Sequence, residues 1–408
     1  MKRLQGSVNL PGSKSESNRA LMIAAYGGFP LEAENLSEAH DTVLMKAMLE
    51  QVRRHDSLEP FTVDCEDAGT VSRFLMTYLA CTPGEWLLTG TKRLCERPMA
   101  PLINALRQLG ADITSVDKEG CLPVLIRGKK LQGGCVTLDA SQSSQFATSL
   151  LLAAPTWDEG LQLTLTGKMV SEPYIDMTLS MMAQFGAKAV RNSDTITVAH
   201  QSYCPCRFNV SSDWSAASYW YEMLALSAGG RLLLKGLQYQ TLQGDSRVVN
   251  LFKPLGINTE FTNEGAVITS AGIPPLIKKP LEFDFTNTPD LFPSILVSCV
   301  VLHIDAVFYG ISTLFTKESD RVNLLITELS RIYTFNNIIE QDKLIIEKSS
   351  LSDKFINDLN LSFKTYDDHR MAMALAGLKM VFDGVVIEGC DVVNKSYPAF
   401  WEEVRRIV

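Results

Sequence analysis

A chain of 408 residues exceeds what one core comfortably holds and suits two domains. Its 46% hydrophobic and 21% charged residues are those of a globular protein, and a net charge of −8 excludes wholesale nucleic-acid binding, so any anion site must be a local gathering of Lys and Arg. Nine scattered cysteines, odd in number and without zinc-like spacing, read as reduced thiols of a cytoplasmic protein rather than as a disulfide framework.

In chain order, Met1-Lys2-Arg3 opens a strand rather than an apolar leader, so no signal peptide is expected. A strand at Val8-Asn9-Leu10 ends at Pro11-Gly12, and a helical run, Ala20–Ala25, follows. Between them Ser13, Lys14, Ser15, Ser17, Asn18 and Arg19 concentrate hydrogen-bond donors. Ser13 separates Gly12 from Lys14, so this is not a nucleotide phosphate loop. It is either an anion site or a plain cap by Ser13 or Ser15 with Lys14 in water. In "DAGTVSRFLMTYLA", Asp67 and Thr70 are candidate caps of a helix from about Val71; Gly69 permits close backbone approach, and Arg73 lies its stem on the core with its head in water. Arg97, directly before Pro98, is expected to point out of a helix start, or else to pair with Glu96 on the surface. Ser143, Ser144 and Gln145 precede an apolar helix, and Ser171 and Tyr174 precede another; both groups suit phosphate or hydroxyl oxygens, and both serve equally as caps.

The run over 291–304 is the most apolar. It is too short to span a membrane and reads as a buried helix. Lys317, Glu318, Asp320 and Arg321 have helix-pair spacings, which makes a solvated ionic face the plain alternative to a site. His369 and Arg370 stand at a helix start behind Asp367 and Asp368; consecutive side chains rarely converge on one ion, so no metal is expected. Lys395 precedes the last helix.

One pattern organises these pieces: an apolar strand ends at a glycine, and a polar loop leads into a helix. Gly90, Gly167, Gly236, Gly310 and Gly389 mark it at spacings of 77, 69, 74 and 79 residues, and residues 31–49 form a degenerate first copy with Asn35 at the glycine position. Each copy has room for two helices and about four strands, so six copies make two domains of three units. Gly110, Gly186 and Gly256 read as helix C-caps. The polar residues recur before helix starts, where N–H groups are unpaired and the dipole favours anions.

Together these stretches resemble the EPSP synthases, the 5-enolpyruvylshikimate-3-phosphate synthase family, in order from "LPGSKSESNRAL" through "DAGTVSRF", "RLCERPMAPLINALRQLGA", "SSQFATSLLLAAP", "VSEPYID", "KESDR" and "YDDHRMAMA" to "NKSYPAFW". The resemblance implies an α/β fold, the two-domain inside-out α/β barrel, each domain built of three β-α-β-α-β-β units. It divides the chain into 13–212 and 1–12 plus 213–408, with the active site in the cleft between them. The implied reaction transfers the enolpyruvyl group of phosphoenolpyruvate to the 5-hydroxyl of shikimate 3-phosphate, in a cytoplasmic monomer without metal or organic cofactor, nucleic acid or membrane partner. By the same resemblance Lys14, Ser15, Arg19, Ser143, Ser144, Gln145, Ser171, Asp290 and Lys317 bind shikimate 3-phosphate. Lys14, Gly69, Arg97, Gln145, Arg321, Arg370 and Lys395 bind phosphoenolpyruvate. Asp290 acts at the hydroxyl, Glu318 at the methylene carbon, Lys14 on departing charge, and His369 on the proton inventory near Glu318. Asp67, Phe74, Thr313 and the bulky "DLFPSIL" depart from the family pattern.

Two other readings compete. The sister enolpyruvyl transferase acting on UDP-N-acetylglucosamine carries a reactive cysteine five positions before its loop arginine; here that position is Lys92, and Cys95 is incidental. A non-catalytic anion-binding relative would have no need of both Asp290 and Glu318.

Overall fold

The glycine-punctuated repeat is also the structural unit. The computed structural model describes residues 2–55, 59–272, 277, 279–352 and 361–408. The chain opens with β1 (Leu4–Val8), α1 (Lys14–Gly27), β2 (Glu32–Glu34) and α2 (His40–Arg54). The second repeat is β3 (Phe61–Asp64), α3 (Gly69–Cys81), β4 (Gly84–Thr89), α4 (Lys92–Glu96) with α5 (Ala100–Gln108), β5 (Asp112–Ser115) and β6 (Val124–Gly128). The third is β7 (Gly134–Asp139), α6 (Ser144–Ala153), β8 (Leu161–Thr166), α7 (Pro173–Gln184), β9 (Ala189–Asn192) and β10 (Thr195–Val198). There follow β11 (Arg207–Asn209), α8 (Trp214–Ala225), β12 (Gly230–Lys235), α9 (Val248–Phe252), β13 (Asn258–Thr262) and β14 (Gly265–Ser270). The fifth repeat is β15 (Leu281–Asp284), α10 (Phe292–Val301), β16 (Ala306–Tyr309), α11 (Arg321–Leu329), β17 (Tyr333–Glu340) and β18 (Lys343–Leu351). The sixth is β19 (Ser362–Phe363), α12 (His369–Leu375), β20 (Val386–Ile387) and α13 (Phe400–Ile407).

Within a repeat, the first two strands pair in parallel across a helical crossover, and a hairpin adds two antiparallel strands. This gives the sheet orders β3-β4-β6-β5, β7-β8-β10-β9 and β15-β16-β18-β17. The fourth sheet, β1-β12-β14-β13, takes its first strand from the chain start: β1 lies parallel to β12, with Leu4 opposite Gly230 and Val8 opposite Leu234. In turn β11 lies parallel to β2, with Arg207 opposite Glu32. The first strand therefore runs over Leu4–Val8, earlier than the expected Val8–Leu10, because that is the stretch whose backbone pairs with Gly230–Leu234 of β12. Among the described residues, the β11-β2 and β19-β20 sheets have two strands each, so the first and sixth repeats carry no hairpin. The chain forms two compact units, Lys14–Val210 and Met1–Ser13 with Ser211–Val408.

Turn chemistry follows the sequence closely. Gly167, Gly236, Gly310 and Gly389 have φ between 61° and 77°, and Asn35 takes the same left-handed conformation at φ 55°. Asparagine tolerates that region because its side chain bonds locally; here Nδ2 donates to the Val210 carbonyl at 2.9 Å. Gly90 is the exception and does not have positive φ. The three C-cap glycines close six-residue loops, with Ala111, Ala187 and Ile257 N–H donating to the Leu106, Met182 and Phe252 carbonyls.

The expected buried helix over 291–304 is α10, every residue of which is buried. A helix apolar on all sides has to lie inside a core. Around its start Phe285 and Phe292 pack edge-on at 5.5 Å between ring centres, and Phe308 of β16 meets Phe292 at 5.7 Å and Phe283 at 5.8 Å. Among the described residues, no helix is long and apolar enough to cross a membrane. The aromatic cluster anchors the helix whose leading turn presents Asp290, so Phe308→Ala is expected to cost about 3–5 kcal/mol, read as a lowered denaturant midpoint.

Candidate active site

In the unit Lys14–Val210, helix starts carry the expected polar side chains. Lys14 is the first residue of α1. Its Nζ donates to Asp41 Oδ2 at 2.8 Å, and Asp41 is buried at the start of α2. Ser15 lies in the same turn, and its carbonyl accepts from Arg19 Nη1 at 2.9 Å. Arg19 is 2% exposed. Its Nε donates to Thr178 Oγ1 at 2.8 Å, and Nη2 reaches the Tyr174 carbonyl at 3.2 Å. The guanidinium also lies 5.7 Å from the Phe74 ring centre, so the departure at Phe74 supplies a cation–π face. Burial pulls the Arg19 pKa down to about 10, against the opposing influence of Tyr174 and Glu16. Ser143 caps α6, its side chain accepting from the Gln145 N–H at 3.2 Å, and Ser144 is the buried first residue of that helix.

Gly69 opens α3 at a point two guanidinium groups approach: a Cβ there would stand 2.5 Å from Arg73 Nη1 and 2.6 Å from Arg97 Nη1. A side chain at 69 would make both guanidinium groups shift, so glycine favours this convergence. Arg73 Nη1 donates to Gln145 Oε1 at 3.0 Å, and Gln145 Nε2 donates to Thr70 Oγ1 at 3.0 Å. Gly69, Gln145, Arg73 and Arg97 thus form one polar group beside the start of α3.

The second unit gathers the remaining residues around Arg321, which is 1% exposed. Its Nη1 donates to Asp290 Oδ1 at 3.0 Å, Nη2 to Glu318 Oε2 at 2.7 Å, and Nε to Asp368 Oδ2 at 2.8 Å. Arg370 Nη2 donates to the other Asp290 oxygen at 2.7 Å, and its Nη1 donates to the Tyr219 hydroxyl at 3.3 Å. Burial would lower the Arg321 pKa, but the Asp368, Glu318 and Asp290 charges outweigh it and raise it above the ordinary range. Asp290 is the converse: burial favours its neutral form, yet Arg370, Lys317 and Arg321 together pull its carboxyl down to about 2. Asp368 is fully buried; it caps α12 through the Arg370 N–H at 2.9 Å and accepts from Ser319 Oγ at 2.9 Å. His369 is buried with Nδ1 3.8 Å from the Asp368 carboxylate, and Lys395 is buried at the end of the short helical segment Cys390–Lys395. Asp245 accepts a hydrogen bond from Ser215, and burial together with the Asp290 charge raises its pKa to about 7.

Several expectations change. Arg97 is not at a helix start: it is the C-cap of α4, and the following helix begins at Ala100 with Pro101 in its first turn. Glu96 pairs with Arg93 at 3.9 Å instead. Neither Asp67 nor Thr70 caps α3, which starts two residues earlier than expected, at Gly69, behind Ala68. Ser171 does not cap α7; it precedes the cap residue Glu172 and holds left-handed backbone at φ 56°. Arg73 keeps its head out of water on the Gln145 amide and over the Phe146 ring at 5.4 Å. The ionic face over 317–321 is not solvated, because Arg321 turns inward to three carboxylates. The partners Asp41, Arg73, Tyr219, Asp245 and Asp368 were missed as site residues. Arg73 was legible as the arginine one helical turn beyond Gly69, and Asp368 as the acid before His369; Tyr219 and Asp245 carry no local signal. Among the described residues, no group of three or more His, Cys, Asp or Glu is placed to hold a metal ion.

The family model of EPSP synthase (3-phosphoshikimate 1-carboxyvinyltransferase) matches residues 1–404. A 3-phosphoshikimate 1-carboxyvinyltransferase of Bacteroides fragilis is 40% identical over 406 residues, covering 99% of this chain and 95% of its own. One from Methanospirillum hungatei is 34% identical over 426 residues, covering 98% and 95%. The solved structure of an EPSP synthase from Acinetobacter baumannii shares the fold with a TM-score of 0.74 at 23% identity, over 100% of this chain and 96% of that one. The fold is therefore the two-domain inside-out α/β fold, and the chain belongs to the EPSP synthase family.

Proposed function

We propose that this protein transfers the enolpyruvyl group of phosphoenolpyruvate to the 5-hydroxyl of shikimate 3-phosphate, and that residues of both units serve this one reaction. Membership of the family supports the reaction. The observation that carries the mechanism is the sharing of Asp290 by Arg321 and Arg370, with Glu318 on the same Arg321.

Arg321 and Arg370 are paired with Asp290 and Glu318, the acids the chemistry needs. An incoming phosphoenolpyruvate offers phosphate and carboxylate oxygens that guanidinium forks bind in a bidentate manner. As Arg321 and Arg370 turn to the substrate, Asp290 loses charges that hold its carboxyl low and becomes more basic. Asp290 then takes the proton of the 5-hydroxyl while its oxygen bonds to C2 of phosphoenolpyruvate. Glu318, entering the step in its protonated form, supplies the proton that converts the methylene at C3 to a methyl group. In the second step the methyl group returns a proton to Glu318, the C2–O bond to phosphate breaks, and phosphate leaves with that electron pair and with the proton held by Asp290. Lys14, Lys395 and Arg97 stabilise the departing charge. In this reading Gly69, Arg97, Gln145, Arg321, Arg370, Lys395 and Lys14 bind phosphoenolpyruvate, and Lys14, Ser15, Arg19, Ser143, Ser144, Gln145, Ser171, Asp290 and Lys317 bind shikimate 3-phosphate. His369, packed beside Asp368, influences the local proton balance. The chemistry asks for acid, base and fixed charge, which the side chains themselves provide. Nine free thiols suit a reducing, cytoplasmic setting.

Phosphate release with phosphoenolpyruvate and each acceptor tests the reading: shikimate 3-phosphate is expected to support turnover and UDP-N-acetylglucosamine is not. Turnover with the nucleotide sugar alone, or with neither acceptor, overturns it. Glu318→Gln is expected to lower kcat by roughly 10²–10⁴-fold with a small change in KM, as loss of a general acid does. Asp245 yields a stability prediction. Its folded carboxyl keeps its proton to about pH 7, well above its ordinary range, so folding opposes ionisation and loses stability as pH rises. Asp245→Asn removes that loss: its denaturant midpoint should gain on the parent between about pH 4 and pH 7, and the gain should level off above.

A further inference from the structure

The turn leading into α12 is strained. Tyr366 at φ 52° and Asp367 at φ 55° are two consecutive non-glycine residues with left-handed backbone, directly before Asp368. Left-handed backbone is uncommon outside glycine, and a bulky aromatic residue there is an outlier. Such a conformation persists only where its surroundings enforce it. One contact bears directly on this turn. The Tyr366 hydroxyl donates to Glu328 Oε1 at 2.6 Å. Glu328 is buried, and its other oxygen accepts from Arg331 Nη1 at 2.8 Å, while the Arg331 guanidinium lies 5.2 Å from the Phe363 ring centre.

Glu328 lies in the last turn of α11, and Arg321 is the first residue of that helix. Arg321 Nε in turn holds Asp368, the residue that follows the strained pair. The contacts therefore close a ring: Arg321, along α11 to Glu328, across to Tyr366, through Asp367 to Asp368, and back to Arg321. We propose that the Tyr366–Glu328 bond is a latch that holds the left-handed turn and so fixes Asp368 and Arg370 in place for phosphoenolpyruvate. Tyr366 and Glu328 are then positioning residues for the transfer, since they act through Asp368, Arg321 and Arg370. This rests on the reading of Arg321 and Arg370 as phosphoenolpyruvate ligands.

Three variants of the full chain test it: Tyr366→Phe, Asp367→Gly and the double variant. Asp367 is exposed, and glycine there relieves part of the strain the latch opposes. The readouts are amide hydrogen exchange over residues 368–372, KM for phosphoenolpyruvate, kcat and thermal midpoint. Tyr366→Phe is expected to speed exchange in this segment by about 10-fold or more through local opening, with the rest of the chain unchanged. It should raise KM for phosphoenolpyruvate roughly 5- to 20-fold while kcat stays within about twofold, as loss of a binding geometry does. Asp367→Gly alone should be near neutral, and the double variant should recover most of both effects. A purely structural tyrosine predicts the opposite: two substitutions worse than one. Unchanged exchange in Tyr366→Phe, or a double variant as fast as Tyr366→Phe, overturns the latch. Faster exchange with an unchanged KM upholds the latch and removes the assignment of Arg370 to phosphoenolpyruvate.

Discussion

A single buried guanidinium organises the cluster of Asp290, Glu318 and Asp368. Arg321 is surrounded by Asp290, Glu318 and Asp368, each within 3.0 Å of a different nitrogen. Leaving such a charge uncompensated inside a protein costs about 3–5 kcal/mol, so the arginine and its acids must fold as one assembly. That requirement fixes three separate pieces of chain: the turn before α10, the loop into α11 and the start of α12. Asp368 serves the assembly twice, as the cap of α12 and as the acid that orients Arg321. Asp290 and Glu318 complete it with oxygens that remain partly accessible, at 20% and 16% of their side-chain surface.

The same economy of design recurs in the other unit on a smaller scale. Lys14 is matched by Asp41, and Arg73 by the Gln145 amide. In both units the groups suited to anions are thus already engaged by the protein's own acceptors. On the proposed reading, an arriving anion would exchange with these partners, and the carboxylates it displaces would feel a changed charge, which links binding to acid–base readiness.

Local turn chemistry is what the amino-acid order displays most openly. The glycines at 167, 236, 310 and 389, Asn35 and the three C-cap glycines all stand where left-handed backbone is needed, so the repeat could be read without coordinates. Helix starts were less secure. Pro98 suggested a start that belongs instead to Ala100, since proline also suits the extended link between α4 and α5. The basic residues could be named from motif resemblance, but their solvent exposure could not. Lys317 to Arg321 has the spacing of a surface ion-pair run, and only the inward carboxylates at 290 and 368 decide that Arg321 is buried. Tyr219 and Asp245 stayed hidden for the same reason: their roles depend on neighbours 151 positions away for Tyr219 and 30 for Asp245.

The placement of the Lys14–Val210 unit between β1 and the rest of its own unit has a consequence for biosynthesis. Strand β1 is made before the whole Lys14–Val210 unit, yet its partner β12 begins at Gly230. The Lys14–Val210 unit has its full set of strands once β11 has been made, well before the other unit can close its first sheet. On the ribosome, the opening segment must therefore wait unpaired while an entire neighbouring unit forms behind it. Its short length and the two exposed residues, Gln5 and Gly6, in its five-residue stretch keep that waiting strand a poor template for mispairing.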